Sequence, residues 1–337
     1  MKKYIAGVIA LVMLFTFTLA GASLAEEKKL SVVTTIFPVY DWVHEIVGDN
    51  DNVEITMLLD NGVDLHSYQP TAQDIMKVAT CDVFVYVGGE SDEWVEGALA
   101  EAVNPDMAVV NLVEAMGEDI KLEEIVEGME HEHEHEHDEE HEHDEEHEHD
   151  EEEREHEGEV DEHIWLSLRN ARKLTKVLAA ALGKADPANA EGYAANADAY
   201  AEKLAALDAE YAAARKTAAF DTVLFGDRFP FRYLVDDYDL SYYAAFSGCS
   251  AESEASFETI VFLASKVDEL GLSTVLTIEG DNHRIAETIV GNTQAKDAKV
   301  LAMDSMQATT GEDVKNGATY LGVMEANLDV LKQALAK

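Results

Sequence analysis

Residues 186–217 read DPANAEGYAANADAYAEKLAALDAEYAAARKT. Asp186 followed by Pro187 is a strong helix start: Asp caps free N–H groups, and Pro suits the first helical position. Tyr193, Ala197, Tyr200, Leu204, Leu207 and Tyr211 then recur at alternating steps of four and three, so one apolar stripe runs along the helix. About thirty residues at a helical rise make a rod of roughly 45 Å. A helix of that length between two regions of a different pattern is read as a stiff connector packed along both.

Upstream, apolar strands alternate with helices. Leu30 to Ile36 is a β-branched run, and Tyr40 to Val47 is helix-like. Val53 to Leu59 reads as a second strand, closed by the turn Asp60-Asn61-Gly62. Thr71 to Ala79 is helical, Val83 to Val87 is an apolar strand ending at Gly88-Gly89, Trp94 to Val103 is helical, and Ala108 to Leu112 is a strand. Downstream, strands are expected at Thr222–Phe225, Tyr242–Phe246, Val275–Ile278 and Val300–Met303. A helix starts at Ser256 and stops at Gly271, another lies between the last two strands, and the final one runs from about Lys315 to Leu335. Continuous apolar strands alternating with helices imply parallel sheets covered on both faces. The expected fold is α/β: an N-terminal lobe over 30–185, a long rigid bridging helix over 186–217, and a C-terminal lobe over 218–337.

The second organising stretch is Glu130–Glu157, EHEHEHEHDEEHEHDEEHEHDEEEREHE, which holds nine of the thirteen histidines. Imidazole alternating with carboxylate has no apolar face to bury, so a mobile loop over about 128–160 is expected. Neutral imidazole is a good ligand for zinc, copper and nickel, and the carboxylates concentrate cations. His131, His133, His135, His137, His141 and His143 are therefore candidate metal ligands.

The formal net charge is −45 over 337 residues. Residues 127–162 contribute 22 acids and one Arg, which leaves −24 for the rest. So acidic a surface argues against nucleic acid as a partner. Lys2, Lys3 and the apolar run Ile5–Leu19 read as an export signal, with cleavage sites at Ala20-Gly21-Ala22 and Ser23-Leu24-Ala25. A soluble extracytoplasmic protein is expected, with no cysteine near the cleavage region to carry a lipid. Cys81 and Cys249 are the only cysteines. They fall in different lobes, and free thiols are expected over a disulfide.

In open α/β sheets, ligands sit outside the carboxyl ends of the strands. That rule selects His66 after the second strand, Glu279 after Val275–Ile278 and Asp304 after Val300–Met303. His163 follows the acidic loop, just before a helix.

The stretches NGVDLHSYQPTAQD (61–74), DEHIWLSLRNA (161–171) and MDSM (303–306), together with the His-rich insert, resemble the substrate-binding proteins of zinc and manganese ABC importers. The resemblance covers almost the whole chain after residue 30. It implies two α/β lobes joined by a long helix, with a metal cleft between the lobes. It implies His66 and His163 as metal ligands, and Asp304 as the ligand found in manganese-type members. The family's third ligand, a His or Glu, falls within FGDRFPFRYLVDDYDL (225–240), where Arg228 stands at the ligand position. Arg cannot bind a metal. Asp227 is one residue away, and Glu279 or His283 are further substitutes. Arg228 itself is expected to pair with Asp64, Asp304 or Glu279.

Function follows as an expectation: a non-enzymatic, monomeric solute-binding component that captures zinc, with manganese as the other candidate, and delivers it to the membrane permease of an ABC importer. A metal buffer acting through the His-rich loop is the alternative. A metalloenzyme ranks last, because no nucleophile and base are paired in the sequence.

Overall fold

The computed structural model describes residues 29–129, 159–250, 254–280 and 282–337. The expected export signal and the six loop histidines from His131 to His143 lie outside the described residues.

The first lobe runs β1 (Leu30–Thr34), α1 (Phe37–Val47), β2 (Val53–Met57), α2 (Ala72–Thr80), β3 (Val83–Tyr86), α3 (Trp94–Ala100), β4 (Ala108–Asn111) and α4 (Leu112–Met116). Two helices follow, α5 (Leu168–Ala185) and α6 (Ala190–Thr217). The second lobe runs β5 (Thr222–Phe229), α7 (Arg232–Asp237), β6 (Ser241–Ser247), α8 (Phe257–Leu270), β7 (Thr274–Ile278), α9 (Arg284–Asn292), β8 (Lys299–Met303), α10 (Gly311–Lys315) and α11 (Tyr320–Ala334).

Both sheets are wholly parallel, in the orders β2-β1-β3-β4 and β6-β5-β7-β8. The two lobes therefore share one topology, although no repeat is visible in the sequence. Val32, Val33, Val83, Phe84, Val275 and Leu276 are all buried, as expected of strands with helices on both faces. No helix among the described residues is long and apolar enough to cross a membrane.

All six stripe residues of α6 are buried. The helix packs along α5, against α1 of the first lobe and α11 of the second. The Tyr211 hydroxyl donates to the Met324 carbonyl at 2.6 Å, fastening α6 to α11. One apolar core runs from the first lobe through α6 to one face of the second sheet. A separate cluster, including Leu263, Val275, Ala286 and Ile289, sits under α8 and α9 on the other face.

Two expected helix ends move. Asp186 does not cap α6: residues 187–189 form a turn, and the helix starts at Ala190. Asp186 accepts from the Tyr193 hydroxyl at 2.7 Å and from the Asn189 amide at 2.7 Å, so it pins that turn. The final helix starts at Tyr320 and not at about Lys315, which ends the short helix α10. Gly317 has φ 98°, a left-handed conformation open to glycine, and α11 starts with Thr319 accepting from the Gly322 N–H.

Candidate metal centre

His66 lies in the turn Leu65–Ser67 after β2, and Asp64 caps that turn by accepting the His66 N–H at 3.0 Å. His163 precedes the turn Ile164–Leu166. Its backbone N–H and its Nδ1 both meet Asp161 Oδ1, at 2.9 and 3.0 Å. Trp165 Nε1 donates to the Ser305 carbonyl, and the Tyr320 hydroxyl donates to the Trp165 carbonyl. This segment is thus held between the lobes.

Across that junction His66 Nε2 and His163 Nε2 stand 3.1 Å apart. Behind them, His66 Nδ1 is 2.8 Å from Ser91 Oγ and 3.9 Å from Glu162 Oε2. Asp161 accepts the proton of His163 Nδ1, which leaves the Nε2 lone pair facing its partner. A carboxylate behind an imidazole fixes the ring and its tautomer, as in metal sites. Burial, then the His163 charge, push the His66 pKa down to about 3, with Arg228 adding and Asp64 opposing. Burial would also lower His163, but the charge and hydrogen bond of Asp161 outweigh it, and its pKa is raised.

Arg228 does not point away from the cleft: its Nη2 lies 2.7 Å from Asp64 Oδ2, joining β5 to the loop after β2. It stands where the sheet register slips between Phe225 and Arg228. Asp227 is turned inward. It accepts from the Arg228 N–H at 2.9 Å and, on its other oxygen, from the Thr277 hydroxyl and the Ile278 N–H. Glu279 accepts from the Ser305 N–H, the Ser305 hydroxyl and the Gln307 N–H, so it staples the loop after β8. Asp304 lies on that loop and accepts the Met306 N–H at 2.7 Å. Burial, then the Glu279 charge, raise its pKa to about 6. His283 Nδ1 faces Thr277 Oγ1 at 3.4 Å.

Among the described residues, the group whose ligand atoms lie within 4.8 Å of one another is His66, His163 and Cys249. Asp227, Glu279, Asp304 and His283 are not in it. Cys249 is a candidate that the sequence reading did not offer, having weighed it as a disulfide partner or a buried thiol. It follows β6, so the strand-end rule that selected His66 also points to it. Both cysteines are free.

Described residues that flank the His-rich stretch are paired close by. Leu122 and Val160 form an antiparallel bridge, the Glu123 N–H donates to the Glu159 carbonyl at 2.8 Å, and the Asp161 N–H to the Lys121 carbonyl at 3.0 Å.

Residues 32–334 match the family model described as "Zinc-uptake complex component A periplasmic". The chain belongs to that family. It is 32% identical over 338 residues to the zinc-binding lipoprotein AdcA of Streptococcus pneumoniae, covering 99% of this chain and 61% of the relative. The chain thus spans about three fifths of the length of such AdcA relatives. It is 30% identical over 315 residues to the high-affinity zinc uptake system protein ZnuA of Bacillus subtilis, covering 94% of this chain and 90% of the relative. The crystal structure of the Zn(II)-bound ZnuA-like domain of S. pneumoniae AdcA superposes with TM-score 0.69 at 27% identity, covering 92% of this chain and all of that one.

Proposed function

We propose that this chain is the extracytoplasmic solute-binding component of a zinc ABC importer, a non-catalytic protein that takes zinc into the cleft between its lobes and presents it to a membrane permease. The observation that carries the reading is the 3.1 Å approach of His66 Nε2 and His163 Nε2 from separate parts of the fold. Two nitrogens on a tetrahedral zinc stand about 3.3 Å apart, given metal–nitrogen bonds of about 2.0–2.1 Å. Two imidazoles also suit zinc better than manganese, which prefers oxygen. The family membership and the zinc-binding relatives support the same cargo. Asp304, on the loop that also carries Gln307 towards His66, is the proposed oxygen ligand.

The His-rich stretch would gather zinc weakly and release it beside Asp161 and His163. Isothermal titration of the parent and of a variant lacking residues 130–157 tests this. One tight zinc site is expected to survive the deletion while weak capacity falls. Loss of all tight binding with the stretch would instead identify a metal buffer.

A further inference from the structure

We propose that the Cys249 thiolate is the third protein ligand of the cleft metal, joining His66 Nε2 and His163 Nε2 in a two-nitrogen, one-sulfur site. This rests on the zinc-capture reading and changes its ligand set.

Four observations converge. The three ligand atoms lie within 4.8 Å of one another. A nitrogen and a sulfur on one tetrahedral zinc are about 3.5 Å apart, so a small movement of the turn after β6 closes the site. The turn is built for close approach: a Cβ at Gly248 would meet His163 Cε1 at 2.9 Å and the Phe229 carbonyl oxygen at 2.9 Å. Only glycine lets the backbone carrying Cys249 lie on the His163 ring. One buried oxygen beside the histidines, Gln307 Oε1, has no hydrogen-bond partner, though its residue is 3% exposed. Buried polar atoms are nearly always satisfied, so it marks a place that a further polar or charged species completes. Finally, the rival ligands are engaged. Arg228 holds Asp64, Asp227 holds Thr277, and Glu279 holds Ser305.

The chemistry balances without redox change. Cys249 enters as a thiol; its S–H bond breaks as the sulfur–zinc bond forms, and one proton leaves. Glu123, which accepts the Cys249 N–H at 2.9 Å, is the adjacent carboxylate able to pass it to solvent. Asp304 or water fills the fourth position. A thiolate also biases the site towards zinc and away from manganese.

The test uses the full-length chain under reducing conditions, loaded with one equivalent of cobalt(II) and, separately, titrated with zinc against a chromophoric chelator. A near-ultraviolet thiolate-to-cobalt band is expected in the parent, absent in Cys249→Ser and Cys249→Ala. Zinc affinity should fall more than about 100-fold in both variants, beyond the 10–100-fold typical of an outer-shell change. Zinc should also protect Cys249 from iodoacetamide, read by peptide mass spectrometry with Cys81 as internal control. If the parent binds zinc tightly, His66→Ala loses it, and Cys249→Ser binds like the parent with no thiolate band lost, the thiolate ligand is overturned while the zinc reading stands. If His66→Ala and His163→Ala bind as tightly as the parent, the cleft reading itself is overturned.

Discussion

Arg228 of the second lobe and Asp64 of the first form an ion pair at 2.7 Å, one residue from the turn that carries His66. Where the resemblance put the family's third ligand, this chain has a cation that ties the lobes together. Burial would raise the Asp64 pKa, but the hydrogen bond and charge of Arg228 more than offset it, and the group sits below its ordinary value.

That pair sets a stability prediction. Arg228→Gln should destabilise the metal-free protein by about 1–2 kcal/mol, since the side chains are 18% and 23% exposed and a partly buried carboxylate loses its partner. A lowered carboxylate pKa contributes stability above the unfolded value of about 3.9 and loses it as pH falls through the folded value. The difference between parent and variant in urea unfolding should therefore be full at pH 7 and shrink below about pH 4. An equal difference at pH 7 and pH 3 would count against the ion pair as its source.

Metal capture should be proton-linked through His163. Burial would lower its pKa, but the charge and hydrogen bond of Asp161 outweigh it and the pKa is raised, so a proton on that ring competes with metal at higher pH than on an ordinary imidazole. His66, held near 3, stays unprotonated through the mildly acidic range. Cleft affinity should fall as pH drops through the His163 value, and Asp161→Asn should shift that loss to lower pH. The same variant should weaken binding at pH 8 by about 10–100-fold, because the ring loses its orienting carboxylate. Competition titrations across pH check both; superimposable profiles would remove Asp161 from this role.

Asp304 predicts a trade between stability and binding. Its folded pKa is about 6, above the ordinary carboxylate value, so the folded state holds the proton more tightly. Stability from this group is present below about pH 4 and lost as pH rises through 6. Asp304→Asn should keep the bond from the Met306 N–H and stabilise the metal-free protein at pH 8 by up to about 3 kcal/mol. Zinc affinity should fall. Chemical unfolding at pH 4 and pH 8, with a zinc titration, gives the readout; destabilisation at pH 8 would refute the assignment.

Gly248→Ala should displace the turn after β6, because the added Cβ meets backbone as well as the imidazole. A cost of about 1–3 kcal/mol is expected from overpacking. Zinc affinity should fall in the same variant, while Gly271→Ala, whose Cβ meets nothing within 4 Å, strains only the left-handed helix end at φ 65° and should leave affinity unchanged. Loss of affinity in both variants would mean that global loosening, not the turn, is responsible.

The periodic part of the molecule was legible in the sequence. Alternating apolar strands and helices, and the stripe from Tyr193 to Tyr211, specify two parallel-sheet lobes and a connecting helix, because burial of one face is a property of spacing along the chain. Strand-end position singled out His66, and the resemblance to a known family singled out both His66 and His163, whose rings the structure brings together. Tertiary structure alone decided what surrounds them. The two histidines are 97 positions apart, and their 3.1 Å approach depends on how the lobes close. Arg228 is committed to Asp64, 164 positions away, and Asp227 to Thr277, 50 positions away. Cys249 reaches the pair because Gly248 leaves room for the His163 ring. Pattern in a sequence reports which face is buried; which polar groups meet across a cleft is fixed by packing between elements far apart in the chain.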